Sequence, residues 1–162
     1  MKRLLLLRHA TAAAQGSQPG DRQRPLTPGG RAEAARLLPW LRQRNLQADL
    51  VLCSPALRTV ETWEAIETSA PDATVLHDDR LYLGSPSDYW RAVAEADGQT
   101  VLLVGHNPTC AAIAMDLRPA DGLTDHSLGH YPPATLCVAQ QQEGGWIAVD
   151  FVRGGSLPEQ LT

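Results

Sequence analysis

The stretch "LLLLRHATA" at residues 4–12 places four leucines directly before an arginine and a histidine. A continuously apolar run, unlike one that alternates with polar residues, is typical of a strand covered on both faces, as in a parallel sheet between helices. Arg8 and His9 therefore stand where such a strand ends. A buried strand that ends in these two side chains indicates an edge of the sheet that binds a ligand.

The composition is that of an ordinary globular domain. The chain has 162 residues, 43% hydrophobic and 20% charged, so we expect a single domain over residues 1–162 with a sizeable core. The net charge of −4, from 14 Lys and Arg against 18 Asp and Glu, argues against a surface for nucleic acid or an anionic membrane. Any bound anion must then be held by a local cluster.

The cysteines and the first residues indicate a cytoplasmic protein. Cys53, Cys110 and Cys137 lie far apart without a CxxC pair, so we expect neither a zinc site nor disulfides, and a reducing compartment fits best. The start of the chain imitates a signal peptide, but its apolar core ends after four leucines, short of the roughly 7–15 residues that a signal needs. No apolar run approaches the ~20 residues of a transmembrane helix.

Short apolar segments alternate with longer helical patterns, which predicts an α/β fold. We expect three layers, with a mostly parallel central sheet covered by helices on both faces. The last two strand candidates are spaced like an antiparallel hairpin. In chain order, the candidates are residues 4–7, 50–53, 73–77, 100–105, 134–140 and 146–152.

The helical segments carry start and stop signals. The segment at residues 26–44 has Thr27 as N-cap and Pro28 in the first helical position, where its missing N–H costs nothing. Pro39 should break or bend this helix near Leu38, because proline inside a helix costs about 3 kcal/mol. Further helices are expected within residues 54–69, 85–97 and 108–117, and the longest loop at residues 118–133.

Three of the apolar runs lead into side chains suited to phosphate. They are Arg8 and His9 after the first run, Arg58 after the second and His106 after the "TVLLVG" run. The planar fork of arginine donates paired hydrogen bonds to phosphoryl oxygens, and a neutral histidine nitrogen can attack phosphorus and hold the phosphoryl group. Flanking arginines would lower the pKa of such a histidine and keep it neutral at physiological pH.

Four motifs in register carry a resemblance to a known family. "LLLLRHA", "RPLTPGG", "SPALRTVET" and "VLLVGHNPT" resemble those of the histidine phosphatase superfamily, which has the phosphoglycerate-mutase-like fold. The resemblance covers about residues 1–140. It is closest to the small bacterial branch of SixA-type phosphohistidine phosphatases.

The resemblance implies a metal-independent phosphatase without a cofactor, in which His9 is the nucleophile that becomes phosphorylated. Arg8 and Arg58 would bind the phosphate. His106 would stabilise the transferred group, and the backbone amide of Asn107 would be a further donor. Among the other matched residues, the family's helix start corresponds to Thr27 and Gly30, for which we expect a structural role.

Departures from the family pattern bear on the substrate. Ala10 replaces the more usual glycine. Branches acting on sugar and glycerate phosphates often carry a hydroxyl residue and an asparagine just after the histidine, and the corresponding segment here, "ATAAAQG" at residues 10–16, argues against recognition of those substrates. The acid that protonates the leaving group in many members has its best match at Asp79. The alternative for Asp79 is a surface ion pair with an arginine, the usual fate of an exposed aspartate.

Leaving-group chemistry favours phosphohistidine as the substrate. An alcohol departs as an alkoxide and needs a general acid, whose loss typically costs about 10²–10⁴-fold in rate. Histidine, with a side-chain pKa of about 6.5, departs easily without one. The short chain also leaves no room for the large lid insertions of the mutases, so the site should be open enough for a protein surface. The expected partner is therefore a histidine-phosphorylated protein of signalling or phosphotransfer.

Alternatives stay open at this point. One is a small-molecule phosphomonoesterase of the same superfamily, and another is a phosphate- or phosphoprotein-binding module without catalysis. A nucleotide-binding domain is not indicated, because neither GxGxxG nor a Walker loop is present. His77, His126 and His130 lie outside the motifs, and the last two occupy a segment bounded by Gly and Pro that is a poor helix and a poor metal site.

Overall fold

A seven-stranded sheet forms the centre of the computed structural model, which describes residues 2–16, 19–123 and 129–159. The strand order across the sheet is β3-β2-β4-β1-β6-β7-β5. β1 to β4 run parallel, whereas β6 is antiparallel to both β1 and β7. In chain order, the strands are β1 Arg3–Arg8, β2 Leu50–Cys53, β3 Thr74–His77, β4 Thr100–Gly105, β5 Arg118–Pro119, β6 Thr135–Gln142 and β7 Gly145–Arg153.

Helices cover both faces of this sheet, which confirms the predicted three-layer fold. On one face, Trp40 of α2 and Trp63 of α3 belong to one apolar core, and on the other face, Tyr89 of α4 and Ile113 of α5 belong to a second. The helices are α1 Pro28–Ala35, α2 Leu37–Gln43, α3 Leu57–Glu64, α4 Pro86–Glu95 and α5 Thr109–Asp116.

The four leucines of β1 divide between the two cores. Leu5 and Leu7 pack into the core on the side of α1 to α3, while Leu4 and Leu6 pack into the other. Successive side chains of a strand point to opposite faces, and β1 is flanked by β4 and β6, so every one of the four is at most 1% exposed. Each such burial contributes roughly 1.5–3 kcal/mol, and together they fix the place where the strand ends.

The predicted interruption of the segment at residues 26–44 is present but lies earlier than expected. Thr27 caps α1 as predicted, because its Oγ1 accepts the N–H of Gly30 over 2.9 Å. The break between α1 and α2 falls at Arg36, before the expected position at Leu38. Pro39 lies in the first turn of α2, where a missing N–H breaks no bond within the helix.

The segment predicted as the longest loop contributes a short edge strand. Arg118 and Pro119 form β5, which lies parallel to β7. Residues 124–128, and with them His126, lie outside the described residues. None of the helices in the described part of the chain combines the length and the apolar character that a membrane crossing requires.

Candidate active site

Three neighbouring strands deliver side chains to one edge of the sheet. β1 and β2 both lie parallel to β4, and the first residues after these strands are His9, Ser54 and His106. The backbone N–H of His9 donates to the Gly105 carbonyl over 3.1 Å, which continues the pairing beyond β1. Arg58 lies in the first turn of α3, close enough for its charge to lower the pKa of His9. His9, His106 and Arg58 therefore converge.

One ring nitrogen of His9 makes a hydrogen bond, and the other has no hydrogen-bond partner among the described residues. Its Nδ1 lies 2.7 Å from the carbonyl oxygen of Ala10. Because a carbonyl oxygen can only accept, Nδ1 carries the proton and Nε2 keeps its lone pair. Burial, with smaller contributions from Arg58 and Arg8, lowers the pKa of His9 to about 4. The ring is thus neutral at physiological pH, as the flanking arginines had led us to expect.

The two arginines each have a buried donor without an acceptor. Nη1 of Arg8 donates to the Tyr131 carbonyl over 2.9 Å, and Arg58 donates to the backbone and side chain of Asp21 at 2.9 and 3.1 Å. The Nε groups of both arginines are buried and have no hydrogen-bond partner among the residues that the structure describes. Because unpaired buried donors are costly, this arrangement is suited to an anion.

His106 lies beside His9 and is also neutral. The two ring centroids are 5.3 Å apart, and the Tyr82 ring is nearly perpendicular to that of His106, with centroids 5.8 Å apart. Burial lowers the pKa of His106 to about 3, helped by the neighbouring His9 and Arg58. Its Nε2 lies 2.8 Å from the hydroxyl of Ser54.

Asp21 is part of the site although no sequence motif marks it. Its carboxylate accepts from Arg58, Arg24 and the Tyr82 hydroxyl. The hydrogen bond from Tyr82, reinforced by Arg58, holds the pKa of this carboxyl well below its usual range, so it is ionised. Asp21 lies in a 3₁₀ turn that is 37 residues from Arg58 in sequence and carries no motif.

Ser54 was also missed, although a signal was available. It is the first residue of "SPALR", the motif that pointed to Arg58, and it directly follows β2 as His9 follows β1. A polar residue in that position is placed at the same sheet edge. The sequence does not show which ring it contacts.

Asp79 lies at the surface rather than among these residues. Its carboxylate, with the side chain 84% exposed, is 3.5 Å from Nη1 of Arg22. In the described part of the chain it has no hydrogen bond to His9, Arg58 or His106. This is the surface pairing named as the alternative, and a general-acid role for Asp79 stays a prediction.

The side chain of Asn107 is occupied by structural hydrogen bonds. Nδ2 donates to the Tyr131 carbonyl over 2.9 Å, and Oδ1 accepts the N–H of Ala111 in the first turn of α5. The same Tyr131 carbonyl accepts from Arg8, so it orients both residues. The backbone N–H of Asn107 donates to none of the described residues and is available to a ligand.

Within residues 2–16, 19–123 and 129–159, no group of three or more His, Cys, Asp and Glu side chains could hold a metal ion. His77 and His130 are exposed. The three cysteines are free and buried, and burial raises the pKa of each thiol above its usual value. The described site places two neutral imidazoles beside two arginines.

Comparisons with known proteins identify relatives of this chain. The family model described as the histidine phosphatase superfamily (branch 1) matches residues 4–82. A solved structure from Nakamurella multipartitia that bears the name of the phosphohistidine phosphatase SixA is 33% identical, with a TM-score of 0.79, and the match covers 94% of this chain and 95% of that chain.

Two curated relatives are similar to this chain over most of its length. The phosphohistidine phosphatase SixA of Escherichia coli is 28% identical over 127 residues, which cover 73% of this chain and 75% of that protein. An uncharacterized protein of Mycobacterium tuberculosis is 34% identical over 151 residues, or 89% of this chain and 92% of that protein.

Proposed function

Since the chain belongs to the histidine phosphatase superfamily and is a phosphatase, we propose that it hydrolyses phosphohistidine on a protein, without a metal, through a phosphoryl group carried on His9. The observation that carries the proposal is the orientation of His9. Its Nδ1–H donates to Ala10, which leaves the Nε2 lone pair as the nucleophile beside Arg8 and Arg58.

The proposed reaction has two displacement steps at phosphorus. In the first, Nε2 of His9 attacks, the Nε2–P bond forms, and the bond from phosphorus to the substrate nitrogen breaks. The substrate ring, protonated on its other nitrogen, keeps the electron pair and leaves as neutral imidazole without a further proton. In the second, water attacks phosphorus, the Nε2–P bond breaks, and the water proton returns to solvent as inorganic phosphate leaves. Arg8 and Arg58 would stabilise the charge on the phosphoryl oxygens in both steps.

The carboxylates near the site favour an activated leaving group. Asp21 is ionised and engaged by Arg58 and Tyr82, so it is a poor proton donor. Asp79 is exposed and paired with Arg22. Without a buried acid, an alkoxide would depart slowly, whereas histidine, with a pKa of about 6.5, needs no acid. The name of the Escherichia coli relative supports the same substrate class.

A comparison of substrates tests this proposal. Rates are measured in EDTA on a histidine-phosphorylated protein and on a panel of phosphate esters. We expect faster turnover of phosphohistidine and, after brief mixing with labelled substrate, an acid-labile, base-stable phosphate on His9. His9→Ala should abolish turnover and labelling. His77→Ala, which removes an exposed histidine at the end of β3, is the matched control and should leave both unchanged.

Other outcomes would redirect the proposal. Faster turnover of an ester would favour the small-molecule phosphomonoesterase, and phosphate binding without turnover would favour the non-catalytic module. Label on a serine or aspartate, or activity that persists in His9→Ala, would contradict the covalent step. We also propose a cytoplasmic location, which the three free, buried cysteines support.

A further inference from the structure

His106 makes a hydrogen bond through only one of its ring nitrogens. Its Nε2 lies 2.8 Å from Oγ of Ser54, and Nδ1 has no hydrogen-bond partner among the described residues. Ser54 is fully buried, directly after β2. The direction of the Ser54 bond therefore decides which nitrogen of His106 carries the proton, and with it what His106 offers to a ligand.

The contacts of the buried Ser54 hydroxyl decide whether it donates to Nε2 of His106 or accepts from it. A hydroxyl group has one proton to donate and two lone pairs that accept. The Ala56 N–H donates to Oγ of Ser54 over 3.5 Å, and in the described part of the chain His106 is the one remaining partner of that oxygen. If Nε2 of His106 also donated, the buried hydroxyl proton would have no acceptor. The hydroxyl must therefore donate to Nε2, which places the ring proton on Nδ1.

We infer that Ser54 is a positioning residue that holds His106 as its Nδ1–H tautomer, so that this ring donates a hydrogen bond to the phosphoryl group transferred to His9. This rests on the proposed function, because it gives His106 a phosphoryl oxygen to bind. His9 has the opposite arrangement, with its free lone pair on Nε2. Two neighbouring rings with centroids 5.3 Å apart would thus have different roles, with the unprotonated Nε2 of His9 as the nucleophile and Nδ1–H of His106 as the donor.

The contrast between the tautomers gives Ser54 a kinetic role. An Nε2–H form of His106 would turn a lone pair on Nδ1 toward the phosphoryl oxygen and repel it. Burial keeps the ring from gaining a second proton, because it lowers the pKa of His106 to about 3. A donor to the transition state acts on kcat more than on KM, so the loss of the Ser54 hydroxyl should lower kcat.

The tautomer can be read directly by two-bond ¹H–¹⁵N NMR on enzyme labelled with ¹⁵N-histidine. We expect His106 to be protonated on Nδ1 in the wild-type enzyme and to shift toward Nε2–H in Ser54→Ala. On an activated aryl phosphate, Ser54→Ala should lower kcat by up to about a hundredfold, the lower end of what loss of one transition-state donor costs. KM should change by less than about threefold.

Two further variants separate this role from a structural one. Thr59→Val removes another buried hydroxyl, in the first turn of α3, that donates to the Ser54 and Ala56 carbonyls but does not contact His106. It should lower thermal stability yet keep kcat and the His106 tautomer. Ser54→Cys keeps a weak donor and should give an intermediate kcat.

A double-mutant cycle completes the test. If Ser54 acts through His106, Ser54→Ala should cause no further loss of kcat in the His106→Ala background. An Nε2–H ring in active wild-type enzyme, or an equal loss in both backgrounds, would overturn the inference. Absence of activity on both the aryl phosphate and phosphohistidine would instead contradict the proposed function, while the spectrum would still report the tautomer.

Discussion

His9 and His106 carry identical side chains but make hydrogen bonds through different ring nitrogens. The Ala10 carbonyl takes the Nδ1 proton of His9, and the Ser54 hydroxyl bonds Nε2 of His106. Burial lowers the pKa of both rings, so neither gains a positive charge beside Arg58. Small neighbours at the strand ends, rather than further charged groups, therefore distinguish His9 from His106.

The role of Asp79 is open to a direct test. If it is the general acid, Asp79→Asn should lower ester hydrolysis by about 10²–10⁴-fold and leave phosphohistidine hydrolysis nearly unchanged, because only the alkoxide needs a proton. Steady-state rates on both substrates measure this. Asp72→Asn, at another exposed aspartate, is the control. Equal, small effects on both substrates would leave Asp79 with the surface ion pair to Arg22 alone.

Site residues could be predicted where a motif at a strand end marks them. His9, Arg8 and His106 follow apolar runs, and the structure brings them to one edge. Asp21 could not be found in this way, because its contacts with Arg58 depend on how a loop folds back over the site. The sequence predicts which strands end together, while the packing of loops across those ends needs the three-dimensional structure.

The apolar pattern of the sequence is the best predictor of the strands. The continuous leucines of β1 predicted a strand buried on both faces, and it lies between β4 and β6. β5 was not predicted, since a two-residue edge strand of Arg118 and Pro119 has neither length nor apolar pattern. The sequence predicts the helix break near Leu38, two residues after its actual position at Arg36. The sequence alone does not show where α2 begins, and so it does not show that Pro39 lies within the first turn.

The start of α1 offers a matched pair of adjacent glycines. A Cβ on the buried Gly30 would collide with the Thr11 carbonyl, whereas a Cβ on the exposed Gly29 would lie 3.8 Å from Oγ1 of Thr27, an ordinary contact. Gly30→Ala should therefore lower the free energy of unfolding by about 1–3 kcal/mol, the usual cost of overpacking. Gly29→Ala should raise it by about 0.5–1 kcal/mol through helix propensity.

Urea unfolding of the two variants measures both effects. Opposite signs at neighbouring positions would assign the role of Gly30 to the close approach of the Thr11 backbone. Equal effects would mean that helix propensity alone governs this turn and that the contact is not tight.

The edge of the sheet that carries the site collects side chains that the folded protein keeps uncharged or without a hydrogen-bond partner among the described residues. His9 and His106 are 8% and 7% exposed, and the buried Nε groups of Arg8 and Arg58 have no partner among the described residues. Apolar cores on both faces of the sheet offset the free energy that these groups cost. The stability of the fold should therefore depend on pH through the site.

The sign of this dependence follows from the two histidines. In the folded protein the pKa of His9 is about 4 and that of His106 about 3, whereas in the unfolded chain both are about 6.5. Below pH ~6.5 the unfolded chain binds more protons, so stability falls as pH decreases toward about 4. Each histidine contributes a slope of up to about 1.4 kcal/mol per pH unit in this window.

Urea unfolding at intervals between pH 7.5 and pH 4.5 measures this slope. We expect the free energy of unfolding to be nearly constant above pH ~7 and to decrease below pH ~6.5. This decrease begins at a higher pH than proton uptake by the Asp21 carboxyl, whose pKa is lowered. His106→Gln should reduce the slope by about half, because one buried imidazole is gone, whereas His77→Ala at an exposed position should leave it unchanged. An unaltered slope in His106→Gln would mean that groups outside the site govern the acid sensitivity of the fold.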